Sequence, residues 1–225
     1  MSDDAQVLNQ NEIDALLQPA PRTAVHPGAG SAARTDAEPV PYDFSQPDAR
    51  AQNPMPALDM VGDRLVRGMR AALFTLLRRM ADVSRKPTTH ERFGSYMAGL
   101  GLPTSLNIVR LAPLPGKGLV VLQPQLVFAG LDMLFGGKGR QATVEQREFT
   151  AIENRVVELF LRQACDSLTE AWASLTRLTI ESVGMEVNPR FARIVPPDET
   201  VAVMRLQIGL DSGAGELHIV LPNSM

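Results

Sequence analysis

From Pro56 onward the chain alternates between helical and strand-like spacing of its apolar residues. Leu58, Val61, Leu65, Met69, Ala72, Leu73, Leu76 and Met80 recur at three- and four-residue steps. This spacing predicts a long helix buried along one stripe, even though Gly62 and Gly68 lower its intrinsic propensity. Val83 opens a short strand, and Thr89 to Leu100 reads as a brief helix. Leu106 to Leu111 is a strand that turns through Pro113-Leu114-Pro115-Gly116-Lys117-Gly118 and returns as Gly118 to Leu122. Pro124 suits the first turn of a helix whose apolar positions include Leu126 or Val127, Gly130 or Leu131, and Leu134. Gly136-Gly137 stops it. Beyond a polar loop, Thr150-Ala151-Ile152-Glu153 has the spacing of a reciprocal capping box. A second long helix follows, with Ile152, Val156, Phe160, Ala164 and Leu168 at four-residue steps and Val157 and Leu161 beside them, while Arg155, Glu158 and Arg162 face water.

The strand, turn, strand, proline unit recurs. Leu106 to Gln125 aligns without a gap on Met204 to Asn223, with Pro124 and Pro222 at the same point and Gly215 one position ahead of the equivalent of Gly118. Two such halves predict an α/β layered architecture: one mixed sheet with helices packed on it, and an internal pseudo-two-fold repeat.

The first part of the chain has a different character. Residues 19–54 are rich in Pro, Ala, Gly, Ser and charge with no apolar period, which predicts a disordered linker with a root-mean-square reach of roughly 30–37 Å. Ahead of it, within residues 1–18, Asn9 has the chemistry of a helix cap, Glu12 follows three positions on, and Ile13, Leu16 and Leu17 form one apolar face. A helix this short is marginal alone in water, so it is expected to fold against a partner. Docking on the chain's own core is the plainer alternative. Residues 55–225 form the folded domain.

Composition narrows the possible functions. With 225 residues and 44% apolar content, the chain can bury one domain of about 100–200 residues beside its tail. A formal charge of −3 predicts no general affinity for nucleic acid or anionic membrane. No apolar run reaches the roughly 18 residues needed to span a bilayer, so direct membrane insertion is not expected. The one cysteine, Cys165, cannot form an internal disulfide and suits a reducing cytoplasm. Basic residues from Arg64 to Lys86 are read as a solvated helix face.

The glycines after Phe135 allow two readings. A helix cap needs one glycine. Gly136, Gly137 and Gly139 together leave bare backbone between Lys138 and Arg140, which another protein can approach closely. A nucleotide-phosphate loop is excluded because Lys138 is followed by Gly139 rather than Ser or Thr, and because the loop closes a helix instead of opening one. His26, His90 and His218 lack zinc-ligand spacing, and no nucleophile turn is present, so neither a cofactor nor a metal is expected.

Four strings occur in order: Leu106-Asn107-Ile108-Val109-Arg110-Leu111-Ala112-Pro113-Leu114, Phe135-Gly136-Gly137-Lys138-Gly139-Arg140, Arg147-Glu148-Phe149-Thr150, and Glu186-Val187-Asn188-Pro189-Arg190-Phe191. In combination they resemble the flagellar motor switch protein FliM family. The resemblance implies a CheC-like layered fold for the middle domain, and an adaptor of the flagellar C-ring that works in chemotaxis at the cytoplasmic face of the inner membrane. It implies capture of phosphorylated CheY by the N-terminal segment, through Asn9, Glu12, Ile13, Asp14, Leu16 and Leu17. It implies contact with the rotor protein FliG through Phe135, Gly136, Gly137, Lys138, Gly139 and Arg140, and side-by-side packing with neighbouring FliM copies in a ring, helped by the first long helix.

Family members continue into a C-terminal domain that binds FliN. This sequence is expected to stop where a second helix would begin, so FliN binding is not expected of it. The rival function is that of the CheC phosphatases, which hydrolyse phospho-CheY with a helix-borne Glu-x-x-Asn pair. Here Glu153 is followed three positions on by Val156, and Asn154 is adjacent to it, so the two point to different helix faces. The expected protein is a binding adaptor, not an enzyme.

Overall fold

The structure is a computed structural model and describes residues 55–139 and 147–225. The N-terminal segment 1–18, the linker 19–54 and Arg140 lie outside the described residues.

Helix α1 (Pro56–Leu77) has proline in its first turn and buries Leu58, Val61, Leu65, Met69, Leu73 and Leu77. It ends earlier than its apolar period suggests. Arg78 takes the left-handed conformation, with φ 56° and its N–H on the Phe74 carbonyl. Met80 therefore leaves the stripe and stands 70% exposed.

Strands β1 (Asp82–Arg85) and β2 (Thr89–Arg92) run end to end along the same neighbour, β6 (Thr200–Leu210), with Val83 opposite Ile208 and His90 opposite Ala202. Pro87, which has no N–H to give, separates them. Thr89 to Arg92 is thus strand where a helix was expected, and only α2 (Phe93–Ala98) is helical. The reason is tertiary: the ladder to β6 takes the backbone of these residues, and Arg205 of β6 reaches both Thr89 and Glu91.

Next come the hairpin β3 (Ser105–Ala112) and β4 (Gly118–Leu122), then α3 (Pro124–Leu134), α4 (Ala151–Trp172), β5 (Thr179–Glu186), β6, and β7 (Gly213–Pro222). The seven-stranded sheet has the order β1-β6-β7-β4-β3-β5, with β2 also on β6. All its pairings are antiparallel, so the sheet is not the mixed one expected. Each half is a hairpin, and the two meet through antiparallel β4 and β7, so no parallel crossover is needed.

The pseudo-two-fold repeat is visible in the register. Leu106 pairs with Val121, and their aligned counterparts Met204 and Ile219 pair with each other. The symmetry extends to the edges. The strand after α1 pairs with the second hairpin, and the strand after α4 pairs with the first, so each half closes the other's sheet.

Both faces of the sheet are covered. Helices α1, α3 and α4 pack on Val120, Leu122, Met204 and Leu206, while α2 and the segment 192–195 pack on the opposite side against Leu119, Val121, Val203 and Val220. Gly68 of α1 lies against Ser167 of α4, where an added Cβ would fall 3.2 Å from the serine Cβ. The helix layer holds α3 so that its C-terminus emerges beside the β6–β7 turn.

Candidate partner-binding loop

Helix α3 ends in a paired-bond cap. Gly136 adopts φ +87°, its N–H reaches the Met133 carbonyl at 3.0 Å, and the Gly137 N–H reaches the Asp132 carbonyl at 2.8 Å. The chain then folds back on the helix. The Asp132 carboxylate accepts the Gly139 N–H at 2.8 Å, and the Lys138 carbonyl accepts the Ser212 N–H at 3.0 Å from the β6–β7 turn. Gly139 is buried, with φ +72°, and a Cβ there would sit 3.1 Å from Leu210. A Cβ on Gly137 would run into the Asp132 carboxylate.

The loop is therefore pinned at both ends. What it presents is Phe135, 74% exposed, with Gly136 and Lys138 exposed beside it. The expected contact residues Phe135, Gly136, Gly137, Lys138 and Gly139 share this one loop, but Gly139 supports it from inside. Sequence reasoning missed Asp132, Leu210 and Ser212. Asp132 did carry a signal, because an acid in the last turn of a helix opposes the helix dipole and needs a local donor to justify it.

The re-entry into α4 is equally fixed. Thr150 and Glu153 form the capping box, and the Arg147 guanidinium grips the Glu153 carboxylate at 2.7 and 2.8 Å. Arg147 also lies 5.8 Å from the Phe128 ring centroid, and Phe128 packs on Phe149. The hydrogen bonds from Arg147 hold the Glu153 carboxyl down near a pKa of about 2 despite its burial. Ile152, expected on the buried stripe, is 59% exposed, and Glu153 is the buried residue of that turn.

A separate cleft of about 370 Å³ lies between α2 and the hairpin β6–β7, lined by Tyr96, Gln125, Arg205 and His218. His218 is buried with its Nδ1 2.8 Å from the Tyr96 hydroxyl and its Nε2 3.0 Å from Glu216. A neutral ring that accepts from tyrosine and donates to glutamate satisfies all three groups, and burial keeps the His218 pKa below its ordinary value. Arg205 is bonded to Thr89 and Glu91, and Lys86 to Glu216. These charges serve one another. Burial also pushes the Cys165 thiol up to about 11, which leaves it unreactive.

A family profile, flagellar motor switch protein FliM, matches residues 51–225. The chain belongs to the FliM family. It is 42% identical over 224 residues to the FliM of Pseudomonas aeruginosa and 37% identical over 221 residues to that of Salmonella typhimurium, with 97% of the chain covered in each. The chain spans about two thirds of the length of these relatives, 67% and 66%. Among solved structures, the FliM middle domain of Vibrio alginolyticus matches with a TM-score of 0.70 and 38% identity, over 76% of this chain and 95% of that one. A FliG–FliM complex from H. pylori shares the fold, with a TM-score of 0.70 at 24% identity, over 75% and 93%. The four strings quoted above take structural roles in this FliM fold: one is the strand β3, one the pinned loop, one the α4 cap, and one the exit from β5.

Proposed function

We propose that this chain is a flagellar motor switch adaptor that binds FliG through the Phe135–Gly139 loop with Arg140 beside it, and captures phosphorylated CheY through Asn9, Glu12, Ile13, Asp14, Leu16 and Leu17. The pinned loop with Phe135 standing out of it carries this reading. A protruding aromatic on a pre-ordered backbone loses little entropy on binding and suits a hot spot. That a FliM of this fold occurs in complex with FliG supports the partner. CheY captured on the tether would bias how the domain sits against FliG and so set the direction of rotation. This requires that the signal bind one arrangement more tightly than the other. The site of action is the cytoplasmic face of the inner membrane, in the basal body, where copies form a ring and the attachment is peripheral. No helix among the described residues is long and apolar enough to cross a membrane.

The CheC-type phosphatase remains the rival, and the geometry disfavours it. Glu153, which would have to grip the response regulator, is committed to the cap and to Arg147.

Calorimetric titration of FliG with Phe135→Ala and Lys138→Glu variants tests the loop. Phe135→Ala is expected to weaken binding about tenfold or more, and Lys138→Glu severalfold. Wild-type affinity in both would refute the assignment. Gly137→Val is the poorer test, because its side chain would displace Asp132 and unpin the loop.

A further inference from the structure

The second face of the sheet carries a buried titratable group that the proposed contacts with FliG and CheY leave unused. His218 of β7 is 3% exposed and stands directly opposite Arg205 of β6 in the ladder. Its two ring nitrogens have one partner each, the Tyr96 hydroxyl of α2 at Nδ1 and the Glu216 carboxylate of β7 at Nε2. Tyr96 is also buried, and burial raises its hydroxyl pKa far above the usual value, so Tyr96 keeps its proton and is the donor of this bond. The other charges that face the ring come from the neighbouring strands. Arg205 is held by Glu91 of β2, and Lys86, which follows β1, is held by Glu216. Burial is the chief influence on the ring and disfavours a proton there; Glu216 favours one, while Arg205 and Lys86 oppose it.

Helix α2 is fixed at its start by backbone bonds, from the Phe93 N–H to the Glu199 carbonyl and from the Gly94 N–H to the Pro197 carbonyl, both at 2.8 Å. Its middle is fixed to the sheet by the Tyr96 hydroxyl on His218. Both residues line the 370 Å³ cleft, and so does Gln125 in the first turn of α3. The side-chain carbonyl of Gln125 is buried and has no hydrogen-bond partner among the described residues. A buried acceptor without a donor is uncommon in a folded protein and marks a place where one is missing.

An imidazole protonated on both nitrogens has two donors and can no longer accept from Tyr96. We propose that Tyr96 and His218 form a pH-sensitive latch between α2 and β7. When Nδ1 takes a proton from solvent in the cleft, the Tyr96 oxygen becomes the acceptor, its O–H turns into the cleft towards Gln125, and α2 loses its fixed hold on the sheet. The unpartnered Gln125 carbonyl supplies the acceptor that the turned hydroxyl needs, directly or through one water. Because the buried ring holds its neutral form, the latch stays closed at neutral pH and opens only as pH falls below the ordinary histidine value of 6.5.

The test is an NMR titration of the histidine ring carbons in the full chain, run beside amide hydrogen exchange of residues 93–104 corrected for the intrinsic effect of pH. The expected result is a His218 midpoint below 6.5 and a threefold or greater rise in exchange of 93–104 with the same midpoint. His218→Gln, whose amide can still accept and donate but does not titrate, should fold and lose the step. Tyr96→Phe should raise the His218 midpoint, because the neutral ring loses its donor, and should leave 93–104 equally exchangeable at all pH values. Thermal unfolding of each variant checks that the fold is kept, and if His218→Gln does not fold, Tyr96→Phe decides. A His218 midpoint at or above 6.5, or no titration before the fold is lost, would overturn the latch. So would a ring that titrates without any change in 93–104, or a step that survives in either variant.

Discussion

Glu153 illustrates what a single residue decides in this molecule. Its carboxylate closes the α4 cap on the Thr150 N–H at 2.6 Å and is gripped by Arg147 on two oxygens. The folded state therefore holds this carboxyl near a pKa of about 2, below its ordinary value of 4.5. A depressed carboxyl stabilises the fold above its unfolded pKa, and that stabilisation is lost as pH falls through the folded value. Discounted for the partly exposed guanidinium of Arg147, the contribution is roughly 2 kcal/mol at neutral pH. Urea unfolding of wild type and Glu153→Gln should therefore differ by about 1–2 kcal/mol at pH 7, and the gap should narrow progressively from about pH 4.5 down toward 2. A gap that stays constant with pH would mean that shape, and not charge, holds this cap. The capping box itself was legible in the Thr-x-x-Glu spacing. Arg147 was not, because its approach depends on the Phe128 ring beneath it, which the tilted Phe149 ring packs against.

Between elements, the decisive contacts are places where backbones come too close for a side chain. An added Cβ on Gly130 of α3 would lie 2.6 Å from the Phe160 ring of α4, and one on Gly215 of β7 would lie 2.6 Å from the Leu126 Cα of α3. The ring can tilt, whereas the backbone at the start of a helix cannot. Gly215→Ala should therefore be the more damaging, by about 3 kcal/mol or more, and Gly130→Ala should cost about 1–3 kcal/mol even though alanine is the better helix former. Gly68→Ala, which meets a serine at 3.2 Å, should be nearly neutral. Chemical denaturation of the three variants checks the order, and a Gly130→Ala protein as stable as wild type would mean that the helix layer is looser than described. The long helices and the first hairpin followed from apolar period and turn residues, and the second hairpin from its alignment on the first. β5 did not: its residues are largely exposed, and a register shift that skips Val183 puts Ile180 out of phase with Met185, so only pairing with β3 makes the whole stretch one strand. Thr89 to Arg92 misled for the same reason, since a short polar stretch takes its structure from β6. The glycine loop was legible as a cap and a contact, while Asp132, Leu210 and Ser212, which make it rigid, come from three elements that spacing along the chain does not relate.

At the scale of the whole molecule, the two halves close each other's sheet, so the folded body should behave as one cooperative unit, while the proposed CheY-binding segment is joined to it through residues 19–54. A short peptide that orders on binding gives up about 2–5 kcal/mol, so its net affinity falls naturally in the micromolar range, near −8 kcal/mol. Such a signal is easily reversed. Joined to the body in one chain, the proposed segment would still raise the concentration of CheY near the body over its free level. Capture and contact would then be separable in energy although coupled in function. Removing residues 1–18 should therefore abolish binding of phosphorylated CheY at micromolar concentration while leaving the affinity for FliG within about twofold of the full chain. Side-by-side titration of both partners on full-length and shortened protein measures this directly. Loss of FliG binding together with CheY binding would show that the segment rests on the body and helps to shape its contact surface, so that capture and contact are one module.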